Sequence, residues 1–202
     1  MKWGVLPVML FVGACTAKSS PDVATIGELA PDFVLESVNG GSYRLSEARG
    51  SPVVLEWFNP DCPFTRNNHS EGALFDLPEQ MSKRYPGLRW FAINSSAPNR
   101  EGGGRGRNIE AQKTYAMTTP LLLDPSGDVG KRYRAQTTPH MFVIDAGGVL
   151  RYSGALDNAP MGESNERKTL NYVENALGQL SRGKPVHPAQ VKPYGCSVKY
   201  GL

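Results

Sequence analysis

Apolar and polar positions along this chain fall into short blocks, and the period of the blocks changes. Val53-Val54-Leu55-Glu56-Trp57-Phe58, Leu88-Arg89-Trp90-Phe91-Ala92-Ile93-Asn94 and Met141-Phe142-Val143-Ile144 are apolar runs rich in β-branched and aromatic side chains. Runs of this length and composition read as buried strands. Phe33–Ser37 and Ser42–Leu45 flank Asn39-Gly40-Gly41, a hairpin signal. Leu121–Leu123 reads as a short strand, and Val149–Gly154 follows Asp145-Ala146-Gly147-Gly148 as the return strand of a second hairpin.

Helical spacing appears between these runs. From Phe64 to Tyr85 the pattern is broadly helical, with Ala73, Leu74, Leu77 and Met81 recurring near one turn and Pro86-Gly87 as the stop. Asn108–Met117 reads as a helix capped by Asn108. Val129–Arg134 is a short helix, and Lys168–Leu180 an amphipathic one, with Leu170, Val173, Leu177 and Leu180 on one face. The glycine-rich stretch Pro98–Asn108 lacks the ending of a phosphate-binding loop and reads as a mobile loop. Strands alternating with helices, then a hairpin and a last helix, predict an α/β three-layer domain around a mixed sheet.

Composition changes little in this picture. The chain has 202 residues, 40% hydrophobic and 20% charged, with a net charge of +3. That fits one well-buried domain plus a tail. Like charges form no long run, so charge makes no case for a nucleic-acid partner. The N-terminus does add something. Met1-Lys2, an apolar run over Trp3–Val12, and Val12-Gly13-Ala14-Cys15 fit a secretory segment with small residues at a cleavage site. The run is too short for a permanent span. A cysteine directly after small residues resembles the lipobox of bacterial lipoproteins. That resemblance implies cleavage before Cys15, acylation of Cys15, and a lipid-anchored protein of the bacterial cell envelope, facing the periplasm. The expected organisation is residues 1–14 signal, 15–27 polar tether, 28–182 domain and 183–202 tail. Of the three cysteines, Cys62 and Cys196 then remain as an even pair in an oxidising compartment.

The candidate chemistry sits where a strand runs into a turn and then a helix: Trp57-Phe58-Asn59-Pro60-Asp61-Cys62-Pro63-Phe64-Thr65. A cysteine at a helix start meets unpaired N–H groups and the positive end of the helix dipole, which favour a thiolate. A second segment, Gln136-Thr137-Thr138-Pro139-His140, places a proline just before a strand, a candidate cis peptide.

With these two segments, Trp57 to Phe64 and Thr137 to Asp145, the chain resembles the thioredoxin superfamily in its redoxin or peroxiredoxin-like branch, of the alkyl hydroperoxide reductase/thiol-specific antioxidant type. The resemblance covers about residues 28–180 and implies a thiol oxidoreductase with no added cofactor. It places Thr138 and Pro139 beside Cys62, and lets the backbone before the proline pair with an extended partner segment. It also makes Glu56 a candidate base below the cysteine, against the alternative of a salt-bridged or edge position. The departures matter. Thioredoxins carry a second cysteine three residues on, where this chain has Thr65. Peroxiredoxins carry Pro and Thr seven and three residues before the cysteine, where this chain has Leu55 and Asn59.

A lone Cys62 needs a second thiol to complete a cycle. Cys196, bracketed by Lys192, Tyr194, Lys199 and Tyr200, is the candidate, with the lysines favouring its thiolate and the tyrosines docking the tail. A Cys62–Cys196 disulfide is the expectation. A structural disulfide and a free tail thiol are the alternatives. Substrates would be a protein disulfide or a peroxide, and the electron donor stays unnamed. His140 and His69 are weaker candidates for proton transfer or ligation, and Arg66 for steadying the thiolate. Two other classes compete: a copper-binding or delivery module using Cys62, His140 and Cys196, and a non-catalytic binding lipoprotein.

Overall fold

The computed structural model of the chain describes residues 22–163 and 169–201. The lipobox and Cys15 lie outside the described residues, as does Lys168. Among the described residues nine strands form: β1 (Val34–Ser37), β2 (Ser42–Arg44), β3 (Val53–Trp57), β4 (Arg89–Asn94), β5 (Leu121–Leu123), β6 (Thr137–Thr138), β7 (His140–Ile144), β8 (Leu150–Gly154) and β9 (Cys196–Ser197). Five helices accompany them: α1 (Pro63–Ser70), α2 (Leu77–Arg84), α3 (Arg105–Thr114), α4 (Asp128–Tyr133) and α5 (Tyr172–Leu180). Seven strands make one mixed sheet in the order β2-β1-β5-β4-β3-β7-β8. β3 lies at its middle, parallel to β4 and antiparallel to β7. Every residue of β3 is buried, as expected for a strand covered on both faces. Trp57, Phe142 and Tyr133 pack on one face; Val54, Met141, Val143 and Tyr152 pack against α2 and α5 on the other. This is the thioredoxin-like architecture.

Several sequence expectations need correction. The helix expected over 64–85 is two. Pro78 stands in the first turn of α2, a position proline tolerates, whereas inside one long helix it would remove a hydrogen bond and clash with the preceding turn. Between the two helices, Leu74 drops into the core at 1% exposure, so the periodicity that included Ala73 and Leu74 belonged to a packed loop. The last helix begins at Tyr172, and Leu170 is exposed rather than on its apolar face.

Asn108 is no cap. Gly104 holds the N-terminal boundary of α3 with a positive φ of 81°, while Asn108 lies buried inside it. Its amide donates to the carbonyls of Gly102 and Gly104 and its oxygen accepts from Asn94. The stretch expected to be a mobile loop is therefore tied down. Asn94 also donates to Gly102 O, and Asn59 to Glu101 O. A Cβ on Gly102 would fall 2.0 Å from the Asn59 side-chain oxygen, so glycine is required for the loop to close on the turn before Cys62.

Candidate thiol site

The site is built at the C-terminal edge of the sheet, where β3 gives way to α1. Asn59 shapes the turn: its oxygen accepts from Asp61 N at 2.8 Å and its amide donates to Ser96 Oγ at 3.1 Å. Asp61 is held by Arg107 at 2.6 Å. Cys62 then occupies the N-cap of α1, with Pro63 starting the helix. Only 2% of Cys62 is exposed. Its Sγ sits 3.0 Å from the carbonyl of Thr138, to which the protonated thiol donates.

Thr138 is brought there by β6 and by the cis peptide that joins it to Pro139, as the resemblance implied. The C-terminal tail, which carries no periodicity, returns over the site and adds β9 to β6, antiparallel, with Thr138 opposite Cys196 and Thr137 opposite Ser197. Gly195 makes this approach possible. Its φ is +125°, and a Cβ there would stand 2.2 Å from the Thr138 carbonyl oxygen. Cys196 Sγ comes to 2.7 Å from Cys62 Sγ, with both cysteines free.

Two tyrosines fix the tail on either side of Cys196. Tyr194 donates to the buried carboxylate of Asp157 at 2.6 Å and packs beside Phe64. Tyr200 donates to Ala135 O at 2.8 Å, and it lies over Gly127 and Gly130, where a Cβ would stand 2.6 Å from a ring carbon and 2.6 Å from the hydroxyl oxygen respectively. Backbone bonds from Val198 N to Gln136 O and from Ala97 N to Lys199 O add to the docking. The tyrosines were legible in the sequence as docking residues; Asp157, Gly127 and Gly130 carried no signal.

The two thiols differ in acidity. Burial pushes the Cys62 thiol up, but hydrogen bonding from the Cys196 thiol, from the side chain rather than the carbonyl of Thr138, and from the backbone N–H groups of Thr65 and Cys196 outweighs it, and the thiol ends below its ordinary value. Burial and the neighbouring Cys62 push Cys196 up to about 12. The one proton of a half-ionised pair therefore belongs to Cys196, which donates it to the Cys62 thiolate. This corrects the expectation that lysines favour a Cys196 thiolate. The pull of Lys199 is outweighed, and its ammonium sits 3.4 Å from Glu101.

The remaining candidates separate from the sulfurs. Glu56 is fully buried and paired, with Oε1 2.7 Å from His69 Nε2 and Oε2 accepting from Trp90 at 3.5 Å. The paired alternative thus holds for Glu56, and His69 is its partner. His69 stacks on Tyr115, whose hydroxyl donates to Pro60 O in the turn before Cys62. His140 accepts from Gln136 N through Nδ1 and faces Ser153 Oγ through Nε2. Burial pushes its pKa down to about 4. Arg66 is exposed. Among the described residues no three of His, Cys, Asp and Glu gather as a metal site, so the copper set of Cys62, His140 and Cys196 is not assembled.

Comparison with known proteins gives a consistent picture. Residues 26–153 match the AhpC/TSA family. The thiol-disulfide oxidoreductase ResA of Geobacillus thermodenitrificans is 27% identical over 128 residues, 62% of this chain and 67% of that protein. The thiol:disulfide interchange protein DsbE of Pseudomonas aeruginosa is 29% identical over 150 residues, covering 73% and 76%. The solved structure of a hypothetical protein, SMc02350 of Sinorhizobium meliloti 1021, superposes with a TM-score of 0.77 at 28% identity, covering 92% of this chain and all of that one. Coverage of that extent reaches past residue 153 into the C-terminal segment.

Proposed function

We propose that this chain, which belongs to the AhpC/TSA family, is a thiol-dependent oxidoreductase that exchanges disulfides through Cys62 and Cys196. The Cys62 thiolate attacks one sulfur of a substrate disulfide, and the other substrate sulfur leaves as a thiolate. Cys196 gives up its proton and attacks Cys62 Sγ, which releases the substrate as a dithiol and leaves a Cys62–Cys196 disulfide. The reading rests on one observation above the rest: the two sulfurs face each other at 2.7 Å, beside the Thr138 carbonyl. The site contributes position and charge. The α1 N-terminus and the Thr65 N–H steady the Cys62 thiolate, and the tail returns Cys196 to Cys62 when it re-docks on β6.

A protein or peptide disulfide is the favoured substrate. The backbone of Thr137 and Thr138 is an edge that already takes an extended strand in β9, and a substrate segment would pair there in its place. A peroxide is the weaker reading. Asn59, at the threonine position of peroxiredoxins, spends its whole side chain on Asp61, Ser96 and Glu101, so it has no free donor for an oxygen. We also place the mature protein on a membrane through acylated Cys15; of the tether expected over residues 15–27, Ala24 and Ile26 pack against the domain core and Ala24 N and Gly27 N bond to Arg132 O and Leu150 O, so that part belongs to the fold. Fatty-acid labelling that Cys15→Ala abolishes is the check on this.

Differential alkylation with mass spectrometry tests the cycle. A Cys62–Cys196 disulfide that forms with substrate disulfide and opens with thiol is the expected result. Two thiols that stay free under every oxidant overturn it.

A further inference from the structure

A recess of about 630 Å³ takes in neither sulfur. Three separate stretches of chain wall it: residues 24–26, residues 133–136 at the end of α4, and residues 190–193 of the tail, with β7 and β8 beneath. Its volume is that of a small-molecule site. Its chemistry is one-sided. Two cations line it, Arg134 and Lys192, with two carboxamides, Gln136 and Gln190, and no carboxylate. All four are exposed. None of these four side chains has a hydrogen-bond or ion-pair partner among the described residues.

The floor adds a directed donor. His140, 4% exposed, accepts the Gln136 N–H at Nδ1 over 3.2 Å. Burial holds its pKa near 4, so the ring is neutral at neutral pH and its one N–H hydrogen sits on Nε2. Nε2 therefore donates to Ser153 Oγ at 3.2 Å. Ser153 Oγ has no other partner among the described residues. Its own hydrogen is left for an acceptor, and Ser153 lines the recess. Next to this donor the wall is apolar: Phe142 and Leu150 belong to the buried core, and Ile26 packs against it.

We propose that this recess binds an organic carboxylate with an apolar body. The carboxylate accepts from the Ser153 hydroxyl, and Arg134 and Lys192 supply its counter-charge. The apolar body covers Phe142, Leu150 and Ile26. The lining decides between ligand classes. A cation would meet two positive side chains and no carboxylate, and a bare inorganic anion would leave the apolar wall in water. Cys62 and Cys196 play no part in the site, so the inference stands apart from the two-cysteine cycle.

Equilibrium dialysis of labelled phenylbutyrate against the full-length chain in detergent tests it, with detergent alone in a reference cell to subtract micelle uptake. One saturable site per chain is the expected result. Phenylbutanol, which keeps the apolar body and lacks the charge, should bind at least about tenfold more weakly. Ser153→Ala should weaken phenylbutyrate binding by about fivefold or more. Arg134→Gln combined with Lys192→Gln should weaken it by about tenfold, and because both side chains are exposed and unpaired, this variant keeps the fold even if Ser153→Ala disturbs His140. Absence of saturable binding overturns the inference. Binding that the double variant and Ser153→Ala both leave within about twofold overturns it too, because phenylbutyrate then sits elsewhere on the protein. Phenylbutanol binding as tightly as phenylbutyrate overturns the assignment of an anion.

Discussion

Gly195→Ala is the most direct probe of the docked tail. Two effects act against it. The residue sits at φ +125°, a region that costs a non-glycine residue about 1–3 kcal/mol. The new methyl would also stand 2.2 Å from the Thr138 carbonyl oxygen and 2.8 Å from its carbon, both backbone atoms that cannot swing aside. In the oxidised protein the strain is locked in by the disulfide, whereas in the reduced protein the tail escapes it by leaving β6. The effective concentration of Cys196 at Cys62 therefore falls. The backbone cost alone corresponds to about 5- to 150-fold. Equilibration of the protein against glutathione and its disulfide reads this quantity directly. A second readout is thiolate absorbance against pH. Cys62 loses part of the burial that raises its pKa together with the hydrogen bond from Cys196 that lowers it, so its titration should move. An exchange constant within twofold of the wild type, with the Cys62 titration unchanged, would refute the view that β9 docking sets both.

The other perturbations act on buried polar groups. Tyr194→Phe deprives Asp157, 3% exposed, of its side-chain donor; the expected loss is about 1–3 kcal/mol by denaturant titration, with faster proteolysis of the tail. His69→Leu leaves Glu56 facing a hydrocarbon at a fully buried position. It should cost at least about 1–3 kcal/mol, while Glu56→Gln, which keeps an acceptor and a donor, should cost less. His140 gives a pH signature. Burial holds its folded pKa near 4 against 6.5 in the open chain, so below pH 6.5 the unfolded state binds a proton that the folded state refuses. Stability contributed by this group is full above about pH 6.5 and is lost as pH falls toward 4, on the order of 3 kcal/mol in total. His140→Gln should flatten that part of the profile, and an unchanged acid limb would show that another group carries it.

Much of this molecule was legible in its sequence, and the failures have physical causes. The strands around Cys62 were readable because a central strand must be apolar on both faces, and Val53–Phe58 is. Glu56 broke that rule and read as either a base or a paired group; its partner His69, 13 residues away on a helix, was itself a candidate, but nothing in the sequence joined the two. The long helix was misread because Leu74 fits a helical period by chance while Pro78 marks a new start. Asn108 looked like a cap because caps and helix-interior bridges use the same side chain, and only the nearby carbonyls of Gly102 and Gly104 decide between them. The meeting of Cys62 and Cys196, 134 positions apart, was an expectation carried by the resemblance and the tail's aromatic residues. Nothing in the spacing required it. What joins them is a set of close approaches, Gly195 on Thr138 and Tyr200 over Gly127 and Gly130, visible only as glycines in a sequence with many.

Thr65 tests whether the tail is a substitute for a thiol that the helix could have held. It stands one turn into α1, fully buried, with its N–H on Cys62 Sγ and its hydroxyl without a hydrogen-bond partner. A cysteine there would replace an orphaned hydroxyl with a weakly polar thiol, so Thr65→Cys should not lower stability and should raise it by up to about 1 kcal/mol. The two arrangements differ in what holds the second sulfur. Cys196 depends on β9, Gly195 and two tyrosines, whereas a cysteine at 65 depends on α1 alone. Oxidation of Thr65→Cys combined with Cys196→Ser should therefore close a local disulfide, and adding Gly195→Ala should leave its exchange constant with glutathione unchanged. The same glycine substitution in the natural pair should weaken closure as worked out above. If the local pair also weakens, Gly195→Ala is acting on α1 or on Cys62 itself, and tail docking is not what joins the two thiols.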